Sequence, residues 1–443
     1  MMKRYFCLVA LSVLSMAAFA QTHAVSVGNY KIYVSLLGEA VEIPVDVTNE
    51  GTADVESIGY TVTSANGEKK EYRYALPEKL SGKKASVTLR LPVEITEKEE
   101  FVAKEIAVTQ VNGHDNEAES GQMTSQGHVI LVRQASPRKV VMEEFTATWC
   151  VNCPRGIVAM EKLQRLFSEQ FIGIAVHCDD IMACKGYSSL MQEVAGIPYA
   201  FVNRWKEGDP YWGYEKGRFG MKEIVERCLS EQTEASVDVR TAVWSDDEKK
   251  IKLLTDVVFQ YNRESSPYAL GYVLVEDGLS GTTNHWNQRN NLMDFPEFAG
   301  DEDFKRFYEG KSIITNMVYN HVAMGGWKPT KGYDGSIVAP IVAGQTQTHE
   351  MTLDISGISG IQDKKRLKAV ALLIDRDSKR IVNADELELG KFLPTDISET
   401  KADTKNKEIA YIYSLDGVRR QTLSKGFNIV RYADGTTKVV NQH

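Results

Sequence analysis

The order in which hydrophobic periodicities follow one another constrains the fold of this chain more than any other feature of its sequence. Residues 24–134 and 234–394 contain short segments in which apolar and polar residues alternate, as half-buried strands do. Between them, residues 137–232 alternate strand patterns with amphipathic helical patterns, as βαβ units do. A chain of 443 residues also exceeds what one hydrophobic core usually organises. The sequence therefore predicts a multidomain protein in which an α/β domain lies between two antiparallel β-sandwiches.

The first alternating region, residues 24–134, contains strand patterns such as KIYVSLL, AVEIPVDVTN and ASVTLRLPVEI. Turn signals separate these patterns, among them Asn66-Gly67 and Ser81-Gly82. Several short strands at this spacing are typical of a β-sandwich of immunoglobulin-like size. Such a module usually binds another molecule or acts as a spacer, and its sequence contains no evident catalytic group.

The second alternating region, residues 234–394, contains patterns such as ASVDVRTAVW, YALGYVLVED and KAVALLIDRD. A less regular stretch between residues 278 and 344 includes Trp286 and Trp327. We expect a second β-sandwich that carries one long loop.

Both ends of the chain carry their own signals. Residues 1–20 have a basic start at Lys3-Arg4, an apolar run and a small-x-small cleavage site at Ala18-Phe19-Ala20, which is the pattern of a secretory signal peptide. An uncleaved membrane anchor is the alternative, but the apolar run is short for a bilayer span.

At the other end of the chain, residues 395–408 are polar and charged, as linkers are. Residues 409–443 contain two Asp-Gly hairpin signals and predict a short β-module, too small for a catalytic pocket, that acts as an address or attachment.

Charge and cysteine content narrow the function classes. The formal net charge is −8, and no basic stripe is present, which argues against a nucleic-acid partner. Six cysteines are present, and Cys7 would leave with the signal peptide. The others lie between Cys150 and Cys228, so the thiol chemistry is confined to one segment. Their odd number implies at least one free thiol or an intermolecular bond.

The segment EEFTATWCVNCPRG places Cys150 and Cys153 after a strand pattern and at the start of a helix pattern. Unpaired N–H groups at a helix start favour an anion, so Cys150 is expected to have a lowered pKa and to be the attacking sulfur. Cys153 lies one helical turn further on and can resolve a mixed disulfide. Arg155 adds positive charge nearby. Two alternatives remain: a structural staple, and a zinc site that recruits His177 or Cys178.

The helix that follows the pair and a later proline extend this prediction. The helix pattern has apolar positions at Ile157, Met160, Leu163, Leu166 and Phe167 on one face. A strand pattern, FIGIAVH, follows, and after a further helical segment GIPYAFVNR places Pro198 just before another strand. A cis peptide bond there could pack against the sulfurs and align an extended substrate.

These motifs resemble the thioredoxin superfamily, which has Trp-Cys-x-x-Cys at its first helix and a proline opening a later strand. The resemblance implies roles for Trp149 beside the pair and for Glu144, close to the position of a buried acid that relays protons to the resolving sulfur. The opposing interpretation makes Glu144 a solvated strand carboxylate. Val151-Asn152 replaces the Gly-Pro of thioredoxins between the sulfurs, which leaves the redox potential open.

The wider layout is similar to an outer-membrane-protein-related family of Bacteroidota named for a twenty-eight-kilodalton antigen. The motifs that carry this resemblance are FTATWCVNCPRG, AVHCDD, PYAFVNR, GYVLVEDGL, WNQRNN and IVNA, within residues 138–384. The terminal YSLDGVRR and KGFNIVRYADGTTKVV resemble the C-terminal sorting tails of type IX secretion clients. These resemblances imply an exported protein of a Gram-negative bacterium, in the periplasm, outer membrane or at the cell surface, and a tail that engages the type IX secretion machinery.

Other candidate residues have two interpretations each. Cys178 and Cys184 could form a second disulfide, or Cys178 could be a buried strand residue. Cys228, level with apolar helix positions, is expected to be a packed hydrophobic residue. His177 is an acid–base candidate or, more simply, a hydrogen-bonded loop histidine. Residues 286–290, WNQRN, could form a carbohydrate or peptide platform, or a loop whose polar groups cap the backbone.

Two functions of different class follow. The first is thiol–disulfide exchange on exported proteins that contain cysteines, with no cofactor or metal and with room for a membrane redox partner. In it Cys150 attacks, Cys153 resolves, Pro198 aligns the substrate and Glu144 moves the proton. The second is a surface binding or adhesion protein in which a thioredoxin-like domain is a scaffold and the disulfide is structural. The greater combined length of the two β-regions favours the second.

Overall fold

The computed structural model describes residues 21–389 and, of the C-terminal region, residues 409–414, 419–420, 422–423, 426–432 and 437–442. The predicted signal peptide, residues 1–20, and the predicted linker, residues 395–408, lie outside the described residues. The described chain is mostly β-structure and is organised in several packed units. No helix of these residues is long and apolar enough to cross a membrane.

The N-terminal unit is built from two facing sheets. Its strands are β1 Val25–Val27, β2 Lys31–Leu36, β3 Val41–Asn49, β4 Val55–Ser64, β5 Lys69–Leu80, β6 Ser86–Val93, β7 Phe101–Val111, β8 His114–Asp115 and β9 Thr124–Val132. One sheet has the order β1-β3-β6, and the other has the order β2-β9-β7-β4-β5 with β8 on β7. Strand β3 shows why the two sheets pack face to face. Its buried and more exposed residues alternate, and its apolar face is buried between the sheets.

The middle unit follows the alternation of strands and helices that the sequence predicts. Its elements are β10 Val140–Thr146, α1 Pro154–Leu166, β11 Phe171–His177, α2 Ser188–Met191, β12 Tyr199–Val202, β13 Lys206–Gly208 and α3 Gly220–Ser230. The sheet order is β13-β12-β10-β11, with β10 and β11 parallel and β12 antiparallel to β10. This order and these directions agree with the thioredoxin-like fold that the resemblance implies.

The sheet of the middle unit continues into the third region. The strands there are β14 Ala235–Trp244, β15 Lys250–Phe259, β16 Tyr268–Glu276, β17 Gln288–Arg289, β18 Ile313–Ile314, β19 Val322–Trp327, β20 Thr346–Asp354, β21 Leu367–Asp375 and β22 Ile381–Glu388, with a short helix α4 Lys305–Tyr308. Strand β19 pairs with the free edge of β11 in parallel, which produces one sheet of eight strands, β13-β12-β10-β11-β19-β16-β21-β22. The sequence predicted a domain boundary near residue 233. Strands from both sides of that boundary, β10 to β13 and β16, β19, β21 and β22, lie in this one sheet.

A second sheet, β14-β15-β20, covers the far half of the eight-stranded sheet. The core between them contains Leu253 and Val257 from one sheet and Leu270, Tyr272 and Ala371 from the other. Val34, Ile130 and Val132 of the N-terminal unit join this same core. Burial of apolar surface therefore holds the N-terminal unit against the third region.

Helix α1 is covered on two sides, which corrects its predicted buried face. Met160 and Leu163 pack on the sheet, as expected, but Leu166 is half exposed. Val158 and Ala159, outside the predicted face, are buried against the irregular stretch of the third region, which includes Leu292 and other apolar residues. A helix pattern alone shows one apolar stripe and does not reveal a second partner.

The C-terminal strands form a small sheet of their own. They are β23 Ile409–Ser414, β24 Arg419–Arg420, β25 Gly426–Tyr432 and β26 Thr437–Gln442, in the antiparallel order β24-β23-β25-β26. Ile412, Val430 and Tyr432 form its buried cluster. Both Asp-Gly turns predicted between these strands lie outside the described residues.

Candidate functional site

Cys150 and Cys153 form a disulfide, with 5.4 Å between their Cα atoms, in the loop that follows β10. Cys153 is completely buried, and Cys150 keeps 6% of its surface exposed. Ala147 and the partly buried Ile197 surround the pair. A thiol that exchanges with another protein must be reachable, so Cys150 is the sulfur that geometry suits to meet a substrate.

The helix start differs from the prediction by several residues. Regular helix begins at Pro154, and Cys153 is its N-cap. Proline suits the first helical position, since its missing N–H has no partner there anyway. Cys150 lies one turn earlier, where its carbonyl accepts the Cys153 N–H at 3.3 Å. Because the dipole effect falls off within a turn, the helix supports an anion at Cys153 more directly than at Cys150.

A cis peptide bond joins Ile197 and Pro198, as the sequence reasoning anticipated. The carbonyl oxygen of Ile197 lies 3.8 Å from Cys150 Sγ. Strand β12 begins at the next residue, Tyr199, and pairs with β10. The loop before Pro198 therefore faces the more accessible sulfur, where an extended substrate would have to lie.

Glu144 is buried on the side of β10 that faces α1. A Cβ atom on Gly156 would lie 2.0 Å from Glu144 Oε1, so a larger residue at this position would force the carboxyl group or the first turn of α1 to shift. The Gly156 N–H donates to the carbonyl of Cys153 at 2.9 Å, so the glycine that lies against this carboxyl group is itself hydrogen-bonded to the resolving cysteine. The interpretation of Glu144 as a solvated strand residue is therefore wrong.

Burial raises the pKa of Glu144 to about 8. A hydrogen bond from Thr146 opposes this rise, and the negative charge of Asp209 adds to it. Oε1 of Glu144 has no hydrogen-bond partner. Such a carboxyl group exchanges its proton near neutral pH, which suits it to serve a thiol.

Trp149 and Arg155 border the pair in different ways. The indole N–H of Trp149 donates to the Cys178 carbonyl at 3.0 Å, and 48% of the residue is exposed. Arg155 binds Asp209 through Nε and Nη2, at 3.2 and 2.7 Å, and stacks on Trp212. The positive charge predicted beside the sulfurs is thus already paired with Asp209.

The other three cysteines of the described residues, Cys178, Cys184 and Cys228, are free and buried. The bond that the sequence allowed between Cys178 and Cys184 is not formed, and both thiols pack among apolar side chains of the core. Burial raises the pKa of Cys178 and of Cys228 to about 12. These thiols are therefore poor nucleophiles at neutral pH.

His177 ends β11 and is buried against Asp180, with its Nδ1 atom 2.7 Å from the carboxylate. Asp180 also accepts the backbone N–H groups of Thr148 and Met182 at 2.9 and 2.8 Å. The pKa of Asp180 is lowered, because these bonds and the His177 ring outweigh burial, which would raise it. The pair ties the end of β11 to the loop that carries Cys150. Among the residues described, no cluster of three or more side chains could hold a metal ion.

The third region binds the cysteine loop directly, which sequence reasoning missed. Gln288 is completely buried, and its Nε2 donates to the carbonyls of Ala147 and Cys150 at 3.3 and 2.9 Å. The N–H groups of Arg289 and Asn291 donate to carbonyls of the same loop, those of Thr148 and Val151, at 2.7 and 3.1 Å.

Gln288 and Arg289 belong to the run WNQRN, for which two interpretations were open, and Asn291 follows it directly. Trp286 is partly buried among apolar side chains and its carbonyl accepts the Tyr319 hydroxyl. The run therefore matches the interpretation in which the tryptophan is packed and the polar groups cap backbone. The signal for this role in the sequence was the number of amide side chains in the run. Such side chains suit hydrogen bonds to backbone groups, but they do not show which segment of backbone they bind.

Comparison with known proteins gives distant similarities. No protein-family model matches the chain, and no curated protein matches it. HBP35 of Porphyromonas gingivalis is similar over 69% of this chain and 98% of its own length, at 17% identity and a TM-score of 0.41. A protein of Agrobacterium tumefaciens is similar over 58% of this chain and 97% of its own, at 16% identity and a TM-score of 0.31.

A smaller similarity involves the CARDB domain of a Pyrococcus furiosus protein, solved in complex with di-metal ions. It covers 27% of this chain and 97% of that domain, at 17% identity and a TM-score of 0.18. All three TM-scores are below 0.5, so these similarities assign no function to this chain. The resemblances to the antigen family and to type IX sorting tails stay predictions.

Proposed function

We propose that this chain is an exported thiol–disulfide oxidoreductase whose thioredoxin-like unit acts on cysteine-containing proteins. The observation that carries the proposal is Glu144, a buried carboxyl group with an unpaired oxygen under the first turn of α1. A disulfide that only staples a loop needs no such group, and leaving it unpaired costs folding free energy. The cost is understandable if the group exchanges a proton with Cys153.

In the reducing direction, the Cys150 thiolate attacks one sulfur of a substrate disulfide. A bond forms between Cys150 and that sulfur, and the other substrate sulfur leaves as a thiolate. Cys153 then gives its proton to the ionised Glu144 carboxylate and attacks Cys150 Sγ. The substrate sulfur that was bonded to Cys150 is released as a thiolate, and the Cys150–Cys153 disulfide forms. Two electrons have then passed to the substrate. Oxidation of a substrate dithiol is the reverse sequence.

The remaining residues have supporting roles in this proposal. The Ile197 carbonyl, beside the cis bond to Pro198, lies at the sulfur and can accept a substrate backbone N–H. The half-exposed Trp149 and the exposed Val151 offer apolar surface at the rim. A partially unfolded protein with exposed cysteines is the class of substrate that such a rim suits.

Export belongs to the same proposal. The signal-peptide pattern of residues 1–20 supports export, and the tail resemblance supports the cell surface and a type IX machinery. Mass spectrometry of the protein from its native envelope tests both. A mature N-terminus at Gln21 and a trimmed C-terminus are expected, whereas an intact Met1 would contradict export by cleavage.

The decisive test is insulin reduction, and oxidative refolding of a reduced substrate, by the full mature chain. We expect Cys150→Ser to reduce the rate at least a hundredfold, since no other accessible thiol is present among the described residues. Cys228→Ser is the matched control, a buried thiol replaced outside the site, and is expected to keep the rate. Equal rates for wild type and Cys150→Ser would remove the enzymatic proposal.

One observation favours the rival function, a surface binding protein with a structural disulfide. Cys150 keeps 6% of its surface exposed, and Gln288 holds the loop that carries it. The rival predicts a disulfide that resists reduction and a Cys153→Ala variant that traps no partner. Mixed disulfides recovered from envelope extracts with Cys153→Ala, and none with the Cys150→Ser and Cys153→Ala double variant, would exclude it and identify the substrates.

A further inference from the structure

A cleft of about 330 Å³ lies where the N-terminal unit, the middle unit and the third region meet. Residues 29–34 form one wall, residues 203–206 with 227–228 and 231–232 form another, and residues 378, 380 and 381 close the third side. The volume falls in the range of small-molecule sites. Tyr33 and Trp205 supply aromatic surface within it.

The cleft is basic although the protein is acidic. Its lining includes two acidic side chains, Asp46 and Glu231, and six basic ones, which are Lys31, Arg138, Arg204, Lys206, Arg227 and Arg380. Two of the six basic side chains are paired with carboxylates that do not line the cleft. Arg204 is bound by Glu143 at 2.7 and 2.5 Å, and Arg380 by Glu234. Four basic groups then face two acidic ones, so the cleft retains a positive potential.

Arg138 is the least compensated of the three buried arginines that line the cleft, which are Arg138, Arg204 and Arg380. Its side chain is 9% exposed, and Nη1 donates to the Gln232 carbonyl at 3.1 Å. The Glu231 carboxylate lies 3.9 Å from Nη2, beyond hydrogen-bonding distance, and Nε has no partner. Burial lowers the pKa of Arg138. A buried guanidinium group without a close anion is costly, and an anion in the cleft would remove that cost.

The same deficiency recurs around the cleft. Among the described residues, three guanidinium nitrogens are buried without a hydrogen-bond partner: Arg138 Nε, Arg204 Nη1 and Arg380 Nε. All three belong to arginines that line this one cleft. At its opening, Lys206 and Arg227 make no ion pair with any described residue, although most charged neighbours on α3 are paired. Unused donors are therefore concentrated at one place in the molecule.

We infer that this cleft binds a small molecule carrying a phosphate or carboxylate group. Arg138 is the inner anchor, because its planar guanidinium can bind two oxygens of such a group at once. Lys206 and Arg227 meet the same group at the opening, and Tyr33 and Trp205 contact the rest of the ligand. The site shares no residue with the cysteine loop, so it is independent of the proposed redox chemistry.

Titration of the full mature chain with inorganic phosphate, and separately with citrate, tests the inference by calorimetry and thermal unfolding. Sodium chloride at matched ionic strength is the control for screening. A saturable rise in melting temperature with phosphate or citrate, and none with chloride, is expected. Response to phosphate alone or to citrate alone identifies the oxyanion. Equal responses to all three salts would overturn the site.

Variants locate the binding. Lys206→Gln with Arg227→Gln is expected to weaken binding of the responding anion at least tenfold, and Arg138→Gln to abolish it. Lys222→Gln, also on α3 but paired with Glu226, is the matched control and is expected to bind as wild type does. If Arg138→Gln fails to fold, the double variant decides, because both of its residues lie at the opening. Unchanged affinity in the double variant would overturn the proposal.

Discussion

The two sides of strand β10 hold neighbouring glutamates that are equally buried and differently surrounded. Glu143 faces α2 and the core beside it, and Arg204 binds both of its oxygens. Glu144 faces α1, and its Oε1 has no partner. Since residue type, strand and burial are shared, the difference lies in the surroundings alone. A carboxylate bound by a guanidinium group stabilises the fold, whereas a buried carboxyl group with one unpaired oxygen is available for proton exchange.

The largest expected effect concerns the pH dependence of the unpaired side. A pKa raised from 4.5 to about 8 means that the folded protein binds a proton more tightly than the unfolded chain. The resulting stability is present below pH 4.5 and is lost as pH rises through 8. The shift corresponds to about 5 kcal/mol at 1.36 kcal/mol per unit, as an upper bound.

Replacing Glu144 with glutamine tests this linkage. Glu144→Gln is expected to abolish the loss between pH 5 and 9 in urea denaturation, and to be more stable than wild type at pH 9. It should also slow exchange by about a hundredfold at neutral pH, because proton transfer to and from Cys153 is lost. Identical stability profiles for the two proteins would show that the protonation of Glu144 is not linked to folding in this pH range.

The paired side should respond in the opposite way. Arg204→Met leaves Glu143 buried without a cation and is expected to cost about 3–5 kcal/mol in urea denaturation at pH 7. Adding Glu143→Gln to this variant should recover most of the loss, because no charge then remains unpaired. Exchange activity per folded molecule should stay within about twofold in both variants. A loss below about 1 kcal/mol for Arg204→Met would remove the contrast between the sides.

Gly156, in the first turn of α1, is expected to respond to substitution by alanine differently from an ordinary helix glycine. Glycine to alanine inside a helix usually stabilises a protein by about 0.5–1 kcal/mol. Here the new Cβ would lie 2.0 Å from Glu144 Oε1, so Gly156→Ala is expected to destabilise by about 1–3 kcal/mol. Shortening the acid in a Gly156→Ala and Glu144→Asp double variant should relieve part of this cost. A stabilised Gly156→Ala protein would mean that the carboxyl group does not lie under the helix.

How far the sequence predicts this site depends on the range of each signal. Local patterns predicted β10, α1 and β11, and the position of Pro198 just before a strand pattern led to the expectation of a cis bond near the sulfurs, which is present. The burial of Glu144 was undecided, because helices cover both sides of β10 and an alternating strand pattern does not distinguish two buried faces. The start of α1 was misplaced, since Pro154 takes the first helical position and leaves Cys150 in the preceding turn.

Long-range contacts were beyond such patterns. The parallel pairing of β19 with β11 joins residues about 150 positions apart, here Ala175 and Val322, and has no local signature. The bonds of Gln288 to the cysteine loop likewise depend on that pairing, because the shared sheet brings the irregular stretch over α1. The sequence showed that residues 286–290 are rich in amide side chains, but it did not show that they bind the cysteine loop.

The smallest expected effect tests whether this long-range contact matters to the disulfide. Gln288→Ala removes two hydrogen bonds to the loop and is expected to cost about 1–2 kcal/mol. The freed loop should expose Cys150, so reduction of the disulfide by dithiothreitol should accelerate a few-fold. Gln347→Ala is the matched control, because Gln347 also makes two side-chain bonds to backbone, at Val338, on an exposed loop of the third region. If both variants are reduced at the wild-type rate, the third region does not restrain Cys150, and the low exposure of that sulfur must come from the middle unit itself.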